Sequence, residues 1–490
     1  MPAEDEPNGK AIPAVVQPSV LERQLEHLRA LTGRLRRTRP DLFKAEGDLG
    51  PRLSRAGRGQ ELEAAELSIA RELLLLEQTV ARIERGAGAG GEVLASTHTL
   101  LHGEVDYAVD LPMGGEVDDV GLLIENFGRK SVVAPQVSRP GVPSWRDMTS
   151  LVSAAVGDAG SPSEVALAIW RFLVLNRDHG QPAHEGAELH DPVKLLNVYG
   201  YGLCDDAANA FAHLARAAGL EARVWGLGGH VVAEAFFDDA WHLFDPDHEV
   251  YYRDASGEIL GVEDLVARPE QLAAAVRLPG RAAYSLDTAR VTEIYASAGD
   301  NQLARYPDPA QFHQMEFTLR AGERVMFWLG KGLRRVVTTR FREPSHVGNG
   351  EWIHEFGLDE SQSELSYALP WPILGGRVEL VAEQALVDDA FKVELQGLDG
   401  AWSPVQGGAA RDKGWLLNLD AQLAVAGAEP RYALKLRIVS RDPEVAVNGQ
   451  VVLTFQHAPR ALPSLLPGHN ELRWSARGGA ARVTHLYRVR

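Results

Sequence analysis

Tyr199-Gly-Tyr-Gly-Leu-Cys204-Asp-Asp-Ala-Ala-Asn-Ala-Phe-Ala-His-Leu-Ala-Arg-Ala-Ala-Gly219 carries the only cysteine of this 490-residue chain. The alternating glycines interrupt regular structure, and the alanine-rich run after them is a strong helix former. Gly219 suits a helix stop, with Arg216 in the last turn. The spacing predicts a helix over 205–218 that packs Ala208, Phe211, Ala212, Leu214 and Ala215 inward. Cys204 then stands at a helix N-terminus, where orphan N–H groups and the dipole favour a thiolate. Gly200 and Gly202 let a partner approach the backbone closely. Asp205 and Asp206 oppose thiolate formation if they turn to the sulfur; their alternative is to cap the helix.

Two strand-like runs follow, Val231 to Phe237 and Ala240 to Phe244. If Asp238-Asp239 is a two-residue hairpin loop, Asp245 lies opposite Val232. His230 sits two residues from Val232 and shares its face. Diagonal neighbours about 7–8 Å apart are within reach of an imidazole and a carboxylate. A slip of one residue would send the two groups to opposite faces. Thiol, imidazole and carboxylate in this order suit a nucleophile, a base and an orienting acid. The Cys204 N–H is one candidate oxyanion donor, and Tyr199, Tyr201 and Asn197 are candidates for a second. Each residue also has a plain reading. A lone cysteine is often a small buried apolar residue, a histidine at a strand start a loop hydrogen bonder, and Asp245-Pro246 a turn. Trp241 and Phe244 are expected in the core.

Gly202-Leu-Cys204, the Ala-rich helix, Ala218-Gly-Leu-Glu-Ala-Arg-Val224, Gly229-His230 and Trp241-His-Leu-Phe-Asp-Pro246 together resemble the transglutaminase-like superfamily over about residues 160–255. The resemblance implies a papain-like α+β core with Cys204 as nucleophile, His230 as base and Asp245 as orienting acid. Members share the triad and differ in activity: protein cross-linking enzymes, proteases, peptide:glycan amidases and inactive versions. After His230, Val-Val-Ala-Glu-Ala stands where the family often has an aromatic residue, a departure that bears on substrate more than on the triad.

The rest of the chain sets this core among other units. Residues 1–18 read as a loose disordered tail. Ser19-Val-Leu-Glu22 fits a capping box, and leucine stripes from Leu21 to Leu35 and from Leu62 to Ile83 suggest a helical hairpin over 19–88. Residues 92–144 read as a small β module and 145–305 as the catalytic core. Ser161-Pro-Ser-Glu164 opens a helix there. Residues 306–375 are β-rich, with Met315 to Leu319 and Arg324 to Leu329 predicted as a hairpin across an Ala-Gly turn. Residues 376–490 read as a C-terminal β-sandwich. Its segment from Leu453 to Trp474 resembles modules that accompany glycan-active enzymes. The fold class expected is multidomain α+β: helical hairpin, transglutaminase-like α+β core and β-sandwich domains.

A net charge of −17, from 50 basic and 67 acidic residues, argues against a nucleic-acid surface. One cysteine rules out an intramolecular disulfide. The acidic N-terminus has no signal-peptide pattern, and no apolar run approaches the roughly 20 residues of a membrane span. A soluble, cytoplasmic protein is expected, with a removed signal as the alternative. Asp245, Asp247, His248 and Glu249 do not have Ca²⁺-loop spacing, and they read as a solvated acidic turn. The expectation is no metal and no cofactor, a protein, peptide or glycan substrate, and self-association through the N-terminal helices. The favoured chemistry is cleavage or transfer of a peptide, isopeptide or glycopeptide amide through a Cys204 acyl-enzyme. Glycan processing or carbohydrate binding on the same core, and a non-catalytic assembly role, are the alternatives.

Overall fold

The computed structural model describes residues 93–113, 117–180, 182, 184, 186–278, 293–329, 334–335, 346–358, 362–397, 399–423, 429–442 and 445–489. The tail and helical hairpin expected before residue 89 lie outside them. Among the described residues strand content is 47% against 21% helix, so they are mostly β, with several sheets around the expected α+β core. No helix among the described residues is long and apolar enough to cross a membrane.

A ten-stranded antiparallel sheet forms the backbone of the molecule. One end holds Val93–Leu100, Ala481–Val489, Val117–Asn126 and Glu323–Trp328 in that order; His346–Leu358, Val447–His457, Ile373–Ala382, Gly414–Asn418 and Ala409–Arg411 continue it. Each end carries a four-stranded sheet. On the first, Thr318–Leu319, Val132–Ser138, Gly468–Gly478 and Gly103–Leu111 pair in sequence. On the second, the order is Gln362–Ala368, Ala433–Ser440, Phe391–Gln396 and Trp402–Val405. Period-2 patterning explains the layers: in Ala433–Ser440, Leu434, Leu436 and Ile438 are buried while Ala433 and Lys435 are exposed.

The pairing joins stretches that the sequence reading treats as separate units. Val93 lies opposite Arg488 and Gly103 opposite Ala476, so strands of 92–144 share sheets with the last strands of the chain. The predicted hairpin over 315–329 takes another form. Gly322 makes a turn with φ of 80°, but Thr318–Leu319 pairs with Val132–Ser138 while Glu323–Trp328 pairs with Val117–Asn126 and His346–Leu358. The turn therefore crosses between two sheets.

Along the ladder of His346–Leu358 and Val447–His457, rings lie over glycines. Gly350 is opposite Phe455, Gly348 opposite His457 and Gly449 opposite Phe356. A Cβ on any of them would fall within 2.3 Å of the facing ring. The missing side chains make room for buried aromatic packing, in which Phe455 stacks on Trp371 at 4.7 Å.

The α+β core lies between Val132–Ser138 and Thr318–Leu319 in the chain. It holds helices α1 (Met148–Val156), α2 (Pro162–Asn176) and α3 (Cys204–Ala217), and strands β1 (Glu221–Leu227), β2 (His230–Phe237) and β3 (Ala240–Phe244). Ser161 caps α2 through the Glu164 N–H, and the Glu164 carboxylate returns to the Ser161 N–H at 2.9 Å. Helix α3 ends in a Schellman motif: Gly219 has φ of 91°, and Leu220 N donates to Ala215 O at 3.0 Å. Phe211 of α3 stacks on Phe244 of β3 at 5.0 Å, fixing the helix to the sheet.

Candidate active site

Local turns place the site's side chains. Asp238 and Asp239 have φ of 49° and 59°, the paired left-handed conformation of a type I′ turn. The register is the expected one, with Phe237 opposite Ala240 and Ala233 opposite Phe244. A second two-residue turn, Gly228-Gly229, joins β1 to β2 and makes His230 the first residue of its strand. The two turns thus set His230 and Asp245 at one edge of the sheet. There His230 Nε2 donates to Asp245 Oδ2 at 2.6 Å, with both residues buried.

Cys204 is the first residue of α3, and its sulfur lies within 4.8 Å of a His230 ring nitrogen. With Nε2 committed to Asp245, Nδ1 is the ring nitrogen left for the sulfur. The two aspartates after the thiol take different roles. Asp206 Oδ2 accepts the Leu203 N–H at 2.8 Å, and Asp205 Oδ2 accepts His190 Nε2 at 3.3 Å. Gly202 has to be glycine here, because a Cβ would come within 2.8 Å of the capping carboxylate. The pair charges unequally. Burial, then the Asp205 charge, pushes the Asp206 carboxyl up to about 7, while the His190 hydrogen bond lowers that of Asp205.

Asp245 is saturated with donors. Its Oδ1 accepts the N–H groups of Asp247 and His248 at 2.9 and 2.8 Å. Its Oδ2 accepts the Tyr295 hydroxyl beside His230. Trp170 Nε1 of α2 donates to its carbonyl at 3.1 Å. Burial alone would raise this carboxyl, but the charges of His230 and His248 and the His230 hydrogen bond bring it down to about 2. Burial alone would likewise lower His230; the Asp245 charge and hydrogen bond, then Cys204, outweigh it and lift the imidazole well above its ordinary value. His248 stacks on His230 with ring centres 3.7 Å apart and planes within 5°. Burial and the His230 charge lower His248 to about 4, so it stays neutral near pH 7.

The acidic turn after Asp245, expected to be solvated, is buried: Asp247 is 2%, His248 5% and Glu249 4% exposed. Asp247 is enclosed by Arg177 and His179 on the segment leaving α2, and these three, with His248 and Tyr295, escaped the sequence reading. Asp247 and His248 had a signal in their closeness to Asp245; Tyr295 is 50 residues away and had none.

The remaining oxyanion candidates are engaged elsewhere. Asn197 Nδ2 donates to the carbonyls of Trp145 and Val193, each at 2.8 Å. The Tyr199 hydroxyl donates to Glu188 at 3.0 Å, and Tyr201 is buried with its ring edge-on to Tyr199. The Asn197 and Tyr199 donors are therefore committed away from the sulfur. The Cys204 N–H, at the start of α3, belongs to the orphan N–H groups of a helix N-terminus.

Among the described residues, three groups have ligand atoms within 4.8 Å of one another: Cys204, His230 and Asp247; His230, Asp245 and His248; and His190, Asp205 and Asp206. These donor sets could hold a metal ion.

A family model described as the transglutaminase-like superfamily matches residues 149–246, the stretch from α1 to Pro246. This chain carries a transglutaminase-like domain. The match spans Cys204, His230 and Asp245. No curated protein matches the chain. Among solved structures, the VP2 subviral particle of infectious bursal disease virus is 10% identical over 81% of this chain and 80% of its own, with a TM-score of 0.15. The Gx strain of the same virus gives 10% identity, 82% and 80% coverage and a TM-score of 0.14.

Proposed function

We propose that the transglutaminase-like domain performs thiol-dependent acyl chemistry on an amide, with Cys204 as nucleophile, His230 as base and Asp245 as orienting acid. The observation that carries this reading is the Cys204 sulfur, at a helix N-terminus, within 4.8 Å of a His230 ring nitrogen while His230 Nε2 is hydrogen-bonded to Asp245 at 2.6 Å. His230 takes the thiol proton, and the sulfur attacks the carbonyl carbon. The Cys204 N–H donates to the developing oxyanion. Collapse breaks the C–N bond as His230 returns the proton to the leaving amine. Water or an amine then attacks the thioester, gives its proton to His230 and releases the acyl group. Asp245 holds the imidazole in the tautomer that keeps Nδ1 for the sulfur. Its four donors keep it ionised throughout.

The test is alkylation of native Cys204 by iodoacetamide across pH, followed by intact mass. A single thiol makes the mass shift unambiguous. Rapid labelling well below the ordinary thiol value of about 8.5, abolished in His230→Ala, is expected. Labelling that follows an ordinary thiol curve in both proteins would sink the proposal.

A further inference from the structure

A second carboxylate faces the same reaction centre. Asp247 has a carboxylate oxygen within 4.8 Å of the Cys204 sulfur and of a His230 ring nitrogen. It is 2% exposed, so its charge acts through little water. Arg177 NH2 donates to its Oδ1 at 2.7 Å, and His179 Nδ1 lies 2.9 and 3.1 Å from its two oxygens. Arg177 is itself buried and does more than neutralise. Its NH1 donates to Gly202 O at 2.8 Å and to Asp178 O at 3.0 Å, while NH2 also reaches Pro246 O at 3.4 Å. One guanidinium thus ties the backbone just before Cys204 to the backbone just after Asp245. Residues Asp178–His179 pair in parallel with Tyr201–Gly202, which seats His179 beside the same strand.

We propose that Asp247, fixed by Arg177 and His179, is a second anion of the reaction centre that, with Asp245, holds the imidazolium form of His230 and restrains the Cys204 thiolate. The inference rests on the reading of Cys204 and His230 as nucleophile and base. Asp247 is a positioning residue: it acts on the pair by charge and takes no proton. The carboxyl is suited to this. Burial alone would raise it, but Arg177, then His179 and His230, hold it far below the ordinary carboxylate range. The other groups facing this centre are Asp245 and His248 on the same turn, Tyr295 above Asp245, and Asp206, which senses Arg177 from α3. Tyr252 senses Asp245 from its own strand, and Arg277 donates to His248 O.

Removing one nearby anion has a directional signature. The imidazolium loses support, so His230 gives up its proton at lower pH. The thiolate loses a repulsive neighbour, so the thiol ionises at lower pH too. Both limbs of the labelling profile should move down together in Asp247→Asn, by about 1 pH unit each for a charge at this range partly offset by Arg177. A purely structural role would change the rate and leave the limbs in place.

The experiment compares the iodoacetamide pH profile of Cys204 in the full chain with that of Asp247→Asn, alongside the NMR titration of the His230 ring. Downward movement of both limbs and of the ring titration supports the proposal. Unmoved limbs in a folded Asp247→Asn protein overturn it while leaving the nucleophile assignment intact. An ordinary thiol curve in the unaltered protein overturns both. If Asp247→Asn does not fold, Arg177→Met with Asp247→Asn removes both buried charges. The same downward movement, smaller because the cation also goes, is then required, and unmoved limbs overturn the proposal.

Discussion

Asp206→Asn should stabilise the start of α3 above neutral pH and destabilise it in acid. Asp206 is 2% exposed, and its carboxyl stands at about 7 against an ordinary 3.8. Between those values the folded protein keeps a proton that the unfolded chain has released. Stability therefore falls as pH rises from 3.8, and the full cost is present above about 7. At about 1.4 kcal/mol per unit the ceiling of that cost is about 4 kcal/mol. Asparagine never ionises, and its carbonyl can still accept the Leu203 N–H. Its amide must find an acceptor beside Asp205, which returns about 1–3 kcal/mol of the gain. The net expectation is about 2 kcal/mol of stabilisation at pH 8 and about 2 kcal/mol of destabilisation at pH 4, where the amide cost stands without the ionisation gain. Hydrogen exchange followed by mass spectrometry over peptides of α3 reads this directly, as slower exchange in the variant at pH 8 once intrinsic rates are removed. Equal gain at both pH values, or loss at both, would refute the argument, because only titration of Asp206 makes the effect pH-dependent.

Two further outcomes follow from buried groups. His248, His457 and His485 are held at about 4, about 4 and about 3 by burial, so each stays neutral in the folded protein while the unfolded chain protonates near 6.5. Their stabilising effect is complete above pH 6.5 and is lost as pH falls toward 4, so the thermal midpoint should drop across that window, and His485→Phe should flatten the drop; an unchanged slope counts against the assignment. Gly350→Ala should destabilise the long sheet by about 1–3 kcal/mol, because the new Cβ overlaps the Phe455 ring that stacks on Trp371; a urea midpoint equal to that of the unaltered protein would show that the ring can move away without cost.

What could be read from the residues was local in character. Helix α3, the Ser161 cap and the Asp238-Asp239 hairpin are each decided within a dozen residues by capping, propensity and turn chemistry, and the hairpin register carries His230 and Asp245 to one edge. The sandwich partners were not local. Nothing in Val93–Leu100 announces Ala481–Val489 as its neighbour, since any amphipathic strand satisfies the same pattern. The Ala-Gly turn at Gly322 looked like a hairpin because a two-sheet crossing uses the same turn residues. Asp247 and His248 were misjudged for a related reason. Their polarity suggests solvent, and only Arg177, 70 residues away from Asp247, shows why a charged turn can be buried.

The position of Cys204 depends on contacts from outside the matched stretch 149–246. The segment Leu195–Tyr199 makes a π-helical turn, with Gly200 N bonded to Leu195 O. The C-terminal half of the chain holds this turn in place. Ala458 N donates to Asn197 O at 2.8 Å, and Gln456 Nε2 to Val198 O at 3.3 Å. Gly200, with φ of 70°, lies so close that a Cβ would approach Ala458 Cβ to 3.1 Å. Glu188 accepts from both Tyr199 and Tyr432, and Arg460 pairs with Asp178, the neighbour of His179. A π-turn costs energy relative to an α-turn and persists where its surroundings over-determine it. Here those surroundings are the end of the strand Val447–His457 and the turn that follows it. The flanking sheets are therefore part of what positions the approach to Cys204, and residues 149–246 cut away from them would keep Cys204, His230 and Asp245 but lose the wall against which the loop before Cys204 is set.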